Sequence, residues 1–243
     1  MRYLILSDIH ANWEALEAVL RDAEGDWDQA VCCGDLVGYG ADPNRVIEWV
    51  REHAMAVVRG NHDKACAGLA DLEGFNPAAR EAAEWTAQTL TADQLYYLRN
   101  LPQGPLEVAG FEILHGSPAD EDEYLMAALP DLLYYLHTPV AFFGHTHWQG
   151  GFVFYRNSVQ PLPGVPPEHR QLRLSLRAEH VYLINPGSVG QPRDRDPRAA
   201  YAVYDDARQV ELRRTPYRVE VAQAKIRRAG LPEILADRLS VGF

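Results

Sequence analysis

Five of the chain's nine histidines, His10, His62, His115, His145 and His147, fall in short polar segments that each follow an apolar run; Asp8 and Asn61 share those segments, and Asp35 lies in another of the same kind. Imidazole nitrogen, carboxylate oxygen and amide oxygen, with no cysteine among them, suit Mn²⁺, Fe, Zn²⁺ or Ni²⁺ better than Ca²⁺. Asp8 and His10 stand two apart, a spacing that on an extended segment turns both side chains to one side and towards one ion. His145 and His147 repeat that spacing behind Gly144. Asp35 follows Gly34, which permits close backbone approach and an unusual dihedral, and its carboxylate has two oxygens with which to bridge two ions. Two ions about 3.5–4 Å apart clamp the attacking and leaving oxygens of an in-line displacement. A single loop histidine is more often structural or exposed. The reading rests on the coincidence of five with three further donors, a company that His53, His137, His169 and His180 lack.

The elements that must position these residues are legible from periodicity. The run RYLILS from Arg2 reads as a buried strand, and Trp13, Leu16, Val19 and Leu20 recur at helical spacing within 11–24. QAVCC is a second strand, Asp42-Pro43 opens a helix, and AMAVVRG is a third strand that ends in Gly60-Asn61-His62-Asp63. Strand, loop, helix, strand implies a parallel sheet, whose ligand residues gather beyond the carboxyl ends of the strands. Residues 63–101 read as mostly helical, with Thr91 and Gln94 spaced as a capping box. Two short strands, LEVAG and FEILHG, a helix near 124–136 and the strand-to-loop unit PVAFFGHTH follow. The remainder reads as antiparallel strands (GGFVFYR, RLSLR, HVYLIN, AAYAVYDD, QVELRRT), with PLPGVPPEHR as a loop or hairpin tip. The tail reads as two short helices split at Gly230 and Pro232.

Bulk properties bound the function. A chain of 243 residues that is 47% hydrophobic can bury a sizeable core. No run approaches the roughly eighteen apolar residues of a membrane span, and the opening YLIL is too short for a signal-peptide core, so the cytoplasm is the expected compartment. A net charge of −11 argues against general nucleic-acid binding. It leaves room for a small phosphorylated substrate, because a metal centre supplies local positive charge. Cys32, Cys33 and Cys66 are odd in number and lack CxxC spacing, which favours small apolar core residues over a disulfide or thiolate site.

The ordered set Asp8-x-His10, Gly34-Asp35, Gly60-Asn61-His62-Asp63, His115-Gly116 and Gly144-His145-Thr146-His147 resembles the calcineurin-like metallophosphoesterase superfamily, and Gly38-Tyr39-Gly40 with Asn185-Pro186-Gly187-Ser188-Val189-Gly190-Gln191-Pro192-Arg193 resembles its branch of compact bacterial and archaeal predicted phosphodiesterases. The resemblance implies an α/β fold of two packed mixed sheets flanked by helices, one domain over 1–243 with a helical insertion at about 66–101. It implies two divalent ions, Mn²⁺ first among the expectations. One would be held by Asp8, His10, Asp35 and His147, the other by Asp35, Asn61, His115 and His145, with Asp35 and a hydroxide between them. His62 would protonate the leaving oxygen or steady the phosphoryl group, and Asp63 would orient His62. The substrate implied is a small phosphorylated molecule, a nucleotide or dinucleoside polyphosphate among the candidates.

The sequence departs from the serine/threonine phosphatases of that superfamily. Gly34-Asp35-Leu36-Val37-Gly38-Tyr39-Gly40 lacks their arginine after the bridging aspartate, which counts against phosphoprotein hydrolysis. Arg193, after a glycine-rich loop, could meet a substrate phosphate or pair with Asp194 or Asp196. Tyr39 could stack on a base, or pack. The helical stretch could cap the site or form a peripheral layer. The exposed edges of a two-sheet fold leave a homodimer open. The main competitor to an enzyme is a catalytically silent scaffold on the same fold, which should lack a ligand or His62; both are present.

Overall fold

Alternation along the first strand sets the architecture. Leu4 and Leu6 belong to one buried cluster and Tyr3 and Ile5 to another, so the strand is covered on both faces. The computed structural model describes residues 1–243. Its strands are β1 (Arg2–Leu6), β2 (Gln29–Cys32), β3 (Ala54–Val57), β4 (Leu106–Val108), β5 (Phe111–Ile113), β6 (Val140–Phe142), β7 (Gly150–Tyr155), β8 (Ser158–Leu162), β9 (Gln171–Ser175), β10 (Val181–Asn185), β11 (Ala199–Asp205) and β12 (Gln209–Thr215). They form two mixed six-stranded sheets, in the orders β3-β2-β1-β11-β12-β9 and β4-β5-β6-β10-β7-β8. β1, β2 and β3 are parallel, as the strand-helix-strand pattern requires, and β11 joins β1 antiparallel.

Between the sheets lie Ile5, Val31, Phe111, Phe142, Ile184 and their neighbours. Outside the first sheet pack α1 (Trp13–Asp22), α2 (Pro43–His53), α3 (Asn61–Cys66), α4 (Pro77–Thr89) and α5 (Ala92–Arg99). Ala83, Leu90, Leu98 and Leu101 share a cluster with Leu4, Leu16 and Val46, so the helical stretch contributes to the main core rather than standing off it. The capping box forms: Thr91 Oγ1 accepts from the Gln94 amide at 3.2 Å, and Gln94 Oε1 accepts from the Thr91 amide at 3.1 Å. α6 (Val219–Arg228) and α7 (Glu233–Asp237) are split at Gly230 and Pro232. Cys32, Cys33 and Cys66 are free and buried, and burial pushes each thiol well up.

Two readings needed correction. The expected helix near 124–136 is only a 3₁₀ stretch, Pro130–Tyr135. Pro130 has no amide hydrogen to continue a helix and pushes Leu129 out of the helical region, to φ −112°, ψ 155°. The loop expected from Pro161 onward begins two residues later, since β8 includes Pro161 and Leu162. β8 is an edge strand, where a missing N–H breaks no ladder.

Candidate metal centre

The loops after β1, β2, β3, β5 and β6 carry the donor residues to one end of the sheets. The loop backbone is not extended. Asp8, His10, Asp35, His145 and His147 have φ of 52°, 49°, 54°, 65° and 59°. Left-handed backbone is unfavourable for residues with a Cβ, tolerated best by Asp, Asn and His, and concentrated at functional sites. Spacing of two on such a backbone does not by itself turn both side chains to one side. Asp8 and His10 do converge, in a group with Asp35 and His147, but His145 and His147 diverge: His145 joins Asp35 and His115 in a second group. The donor atoms of each group lie within 4.8 Å of one another.

Hydrogen bonds fix which nitrogen faces inward. His10 Nδ1 meets the Val37 carbonyl at 3.0 Å, His115 Nδ1 the Cys33 carbonyl at 2.8 Å, and His147 Nδ1 the Gln191 carbonyl at 2.5 Å. A carbonyl only accepts, so each Nδ1 carries a proton; His10 and His147 then present a lone pair at Nε2, and His115 does so once its second proton leaves. His145 uses the other nitrogen, Nε2, on the Asp122 carbonyl at 3.1 Å, leaving Nδ1 for the site. His10 Nε2 and His147 Nε2 are 3.1 Å apart, and Asn61 Oδ1 is 3.2 Å from His115 Nε2. Asp35 links the groups. Its Oδ1 accepts from the His62 amide at 2.8 Å. Its buried Oδ2 has no hydrogen-bond partner and stands 3.5 Å from His10 Nε2 and 3.4 Å from His115 Nε2. A buried orphan carboxylate oxygen between two sets of inward lone pairs is the arrangement a pair of cations would satisfy.

Electrostatics agrees in direction. Burial depresses His10 and His147 well below the usual range and His145 to about 3, so these rings are neutral donors at neutral pH. Burial also works on His115, but the Asp35 carboxylate outweighs it and raises the ring to about 9. Burial raises Asp8 to about 7, although Ser7 Oγ donates to it at 2.7 Å.

His62 is buried outside both donor groups. Its ring lies 4.3 Å from that of Tyr39 and 4.8 Å from that of Phe75, centroid to centroid, and its Nδ1 has no partner. Gly38, at φ +86°, makes room: a Cβ there would stand 2.5 Å from His62 Nδ1. Asp63 departs from expectation. Its Oδ1 accepts from the amides of Leu36 at 2.9 Å and Val37 at 3.3 Å, and its Oδ2 from that of Gly60 at 3.0 Å. The carboxylate ties the Asp35 loop to the Asn61 loop and does not orient the His62 ring. Arg193 Nη2 donates to Tyr39 Oη at 3.2 Å.

Sequence reasoning missed several supporting residues. Asn185 Nδ2 donates to the Gly144 carbonyl and to Thr146 Oγ1, both at 3.0 Å, holding the loop of His145 and His147. Ser188 Oγ donates to the Asp8 carbonyl at 2.8 Å. Asn185 ends β10 and Ser188 follows it in a glycine-containing loop, the same signal that marked the ligands. Tyr124 stacks on His145 with centroids 3.8 Å apart. A cleft of about 590 Å³ opens beside the centre, lined by Asn61, His62, His145, Tyr39, Tyr124 and Phe75. Leu69, Asp71 and Asn76 also line it, so the helical stretch supplies one wall of the cleft as well as core.

Comparison with known proteins follows the same lines. Residues 1–208 match the calcineurin-like phosphoesterase superfamily domain. The solved structure of a metallophosphoesterase from Sphaerobacter thermophilus is 42% identical, with a TM-score of 0.86 covering 100% of this chain and 99% of that one. A protein of Methanocaldococcus jannaschii is 34% identical over 250 residues, 98% of this chain and 97% of its own. A Pyrococcus horikoshii structure shares the fold, with 19% identity and a TM-score of 0.77 over 100% of this chain and 98% of that one.

Proposed function

We propose that this chain, which belongs to the calcineurin-like phosphoesterase superfamily, hydrolyses phosphodiester or phosphoanhydride bonds of small phosphorylated substrates, nucleotides among them, at a centre of two divalent ions. The observation that carries the reading is Asp35, whose orphaned, buried Oδ2 lies between the His10–His147 and the His115–His145 donors. Asp8, His10, Asp35 and His147 would hold one ion; Asp35, Asn61, His115 and His145 would hold the other. Imidazole and carboxylate donors suit Mn²⁺, our first expectation, as well as Fe, Zn²⁺ and Ni²⁺. When bound, such ions activate water as a nucleophile and offset charge on the phosphoryl oxygens.

The chain's own residues do the rest. Carbonyls of Val37, Cys33 and Gln191 fix the tautomers, so that no donor must reorient on binding. His62 lines the cleft and is the group we assign to meet the leaving oxygen and hand it a proton, a contribution on the order of 10²–10⁴-fold. Asp63 keeps the loops of Asp35 and His62 in register. Tyr39 and Phe75 flank His62 and restrict water there.

The test is hydrolysis of bis-p-nitrophenyl phosphate by metal-stripped protein reloaded with Mn²⁺, wild type beside Asp35→Asn. Metal-dependent turnover in the wild type that the variant lacks is the expected result. A folded, metal-loaded wild type inert towards diesters and nucleotides alike would overturn the reading in favour of a silent scaffold.

A further inference from the structure

Arg193 was a residue with two readings, one of which gave its charge to Asp194 or Asp196. Both carboxylates are committed elsewhere: Asp194 pairs with Arg214, and Asp196 with Arg198 at 2.5 Å. Arg193 has no carboxylate side chain within 4.0 Å, and its buried Nε has no partner at all. A second guanidinium, from Arg238 between α7 and the C-terminal residues, stands beside it with no carboxylate side chain within 4.0 Å either. Arg238 Nε donates to the main-chain oxygen of Phe243 at 2.6 Å. Both guanidinium carbons lie near the Tyr39 ring, 5.9 Å from its centroid for Arg193 and 5.4 Å for Arg238. That ring is in turn 4.6 Å from His10 and 4.3 Å from His62. The contrast with the rest of the molecule is sharp, since the buried or half-buried Arg198, Arg213 and Arg214 are all carboxylate-paired. In a chain of net charge −11, Arg193 is a guanidinium without an acid beside a second that the Phe243 oxygen meets through Nε alone, an arrangement that costs stability unless an anion joins it.

We infer that Arg193 and Arg238, with Tyr39 Oη, form an anion subsite next to the metal centre that holds a second phosphate of the substrate, and so select phosphoanhydrides such as nucleoside and dinucleoside polyphosphates over simple diesters. Forked guanidinium donors match phosphate oxygens in pairs, and a diester with one phosphorus has no second phosphate to place there. The cleft bounded by Phe75 and Tyr124 offers apolar and stacking surface for the organic part. In the reaction selected, water's oxygen bonds to the scissile phosphorus, the bond to the bridging oxygen breaks, and the leaving phosphate takes the electron pair. No oxidant or reductant enters. The role in substrate choice rests on the phosphoesterase reading; the anion subsite does not.

Two measurements separate them. Titration of pyrophosphate into metal-stripped protein, followed by calorimetry, tests the subsite alone. Wild type should bind on the order of tenfold or more tighter than Arg238→Gln, and tighter still than the Arg193→Gln, Arg238→Gln double variant. Arg238→Lys keeps the charge and should fall between. On Mn²⁺-loaded protein, the ratio of kcat/KM for diadenosine tetraphosphate to that for bis-p-nitrophenyl phosphate should drop about tenfold or more in Arg238→Gln, chiefly through KM. Equal pyrophosphate affinity in wild type and folded variants overturns the subsite. An unchanged ratio overturns its role in selection. Tighter pyrophosphate binding by a wild type that hydrolyses nothing would leave the subsite standing and remove the enzyme.

Discussion

Asp63→Asn separates the role the sequence suggested for this residue from the one the structure gives it. In the fold its carboxylate receives three backbone N–H bonds, from Leu36, Val37 and Gly60. Asparagine keeps the shape and one acceptor oxygen. With that oxygen on Leu36 and Val37, the new NH₂ faces the Gly60 amide, donor against donor. The loss is one charge-assisted bond, weakening of two others and a buried unsatisfied amide, together roughly 2–4 kcal/mol. For a chain of this size that lowers Tm by on the order of 10 °C. Because these amides belong to the loops of Asp35 and Asn61, Mn²⁺ affinity should fall about 10–100-fold. The assay is thermal unfolding and metal titration at pH 8, above the value of about 7 to which burial, followed by the charge of Asp35, raises Asp63. If the variant melts within about 2 °C of wild type and binds Mn²⁺ normally, while only the pH–rate profile moves, Asp63 acts through His62 and the structural reasoning is wrong.

Two further outcomes follow from the site. Removing metal should lower Tm and reloading should restore it, by about 2.7 kcal/mol or roughly 5–10 °C at a hundredfold excess over Kd. The loss should grow with pH. His115 is held at about 9 by Asp35 against its burial, and burial raises Asp8 and Asp63 to about 7; above the ordinary histidine range, where the depressed His10, His62, His145 and His147 are neutral in both states, the metal-free folded state therefore binds more protons than the unfolded chain. Its stability declines from about pH 7 towards pH 9, while metal affinity rises over the same range as those protons leave; melting curves that stay flat over that range in stripped protein would contradict this. Gly38→Ala should displace His62, whose Nδ1 a Cβ would meet at 2.5 Å, and cost kcat about 10²–10⁴-fold on esters with poor leaving groups. Substrates that leave as p-nitrophenolate need less protonation and should lose much less; equal losses on both would argue that the variant damages the centre as a whole.

The sequence by itself determined the inventory. Runs such as RYLIL and QAVC alternate or stay apolar because their neighbours in the chain decide strand burial, and the polar residues that follow them were legible as one edge of a parallel sheet. It also supplied a donor set that could hold metals, since donor chemistry belongs to residue type. The resemblance already implied how the donors divide between two groups; tertiary structure decided the backbone geometry that brings the division about. His145 and His147 separate to different groups because the loop backbone turns left-handed, held by bonds such as Asn185 to the Gly144 carbonyl, 41 residues away in sequence. Asp63 acts on backbone amides 26 and 27 residues away, and Arg193 reaches Tyr39 across 154. Arg238 carried no local signal at all. Periodicity and turn chemistry are fixed within a few residues, whereas these contacts exist only once two sheets and their helices have packed, and no local pattern encodes which distant partner that packing will supply.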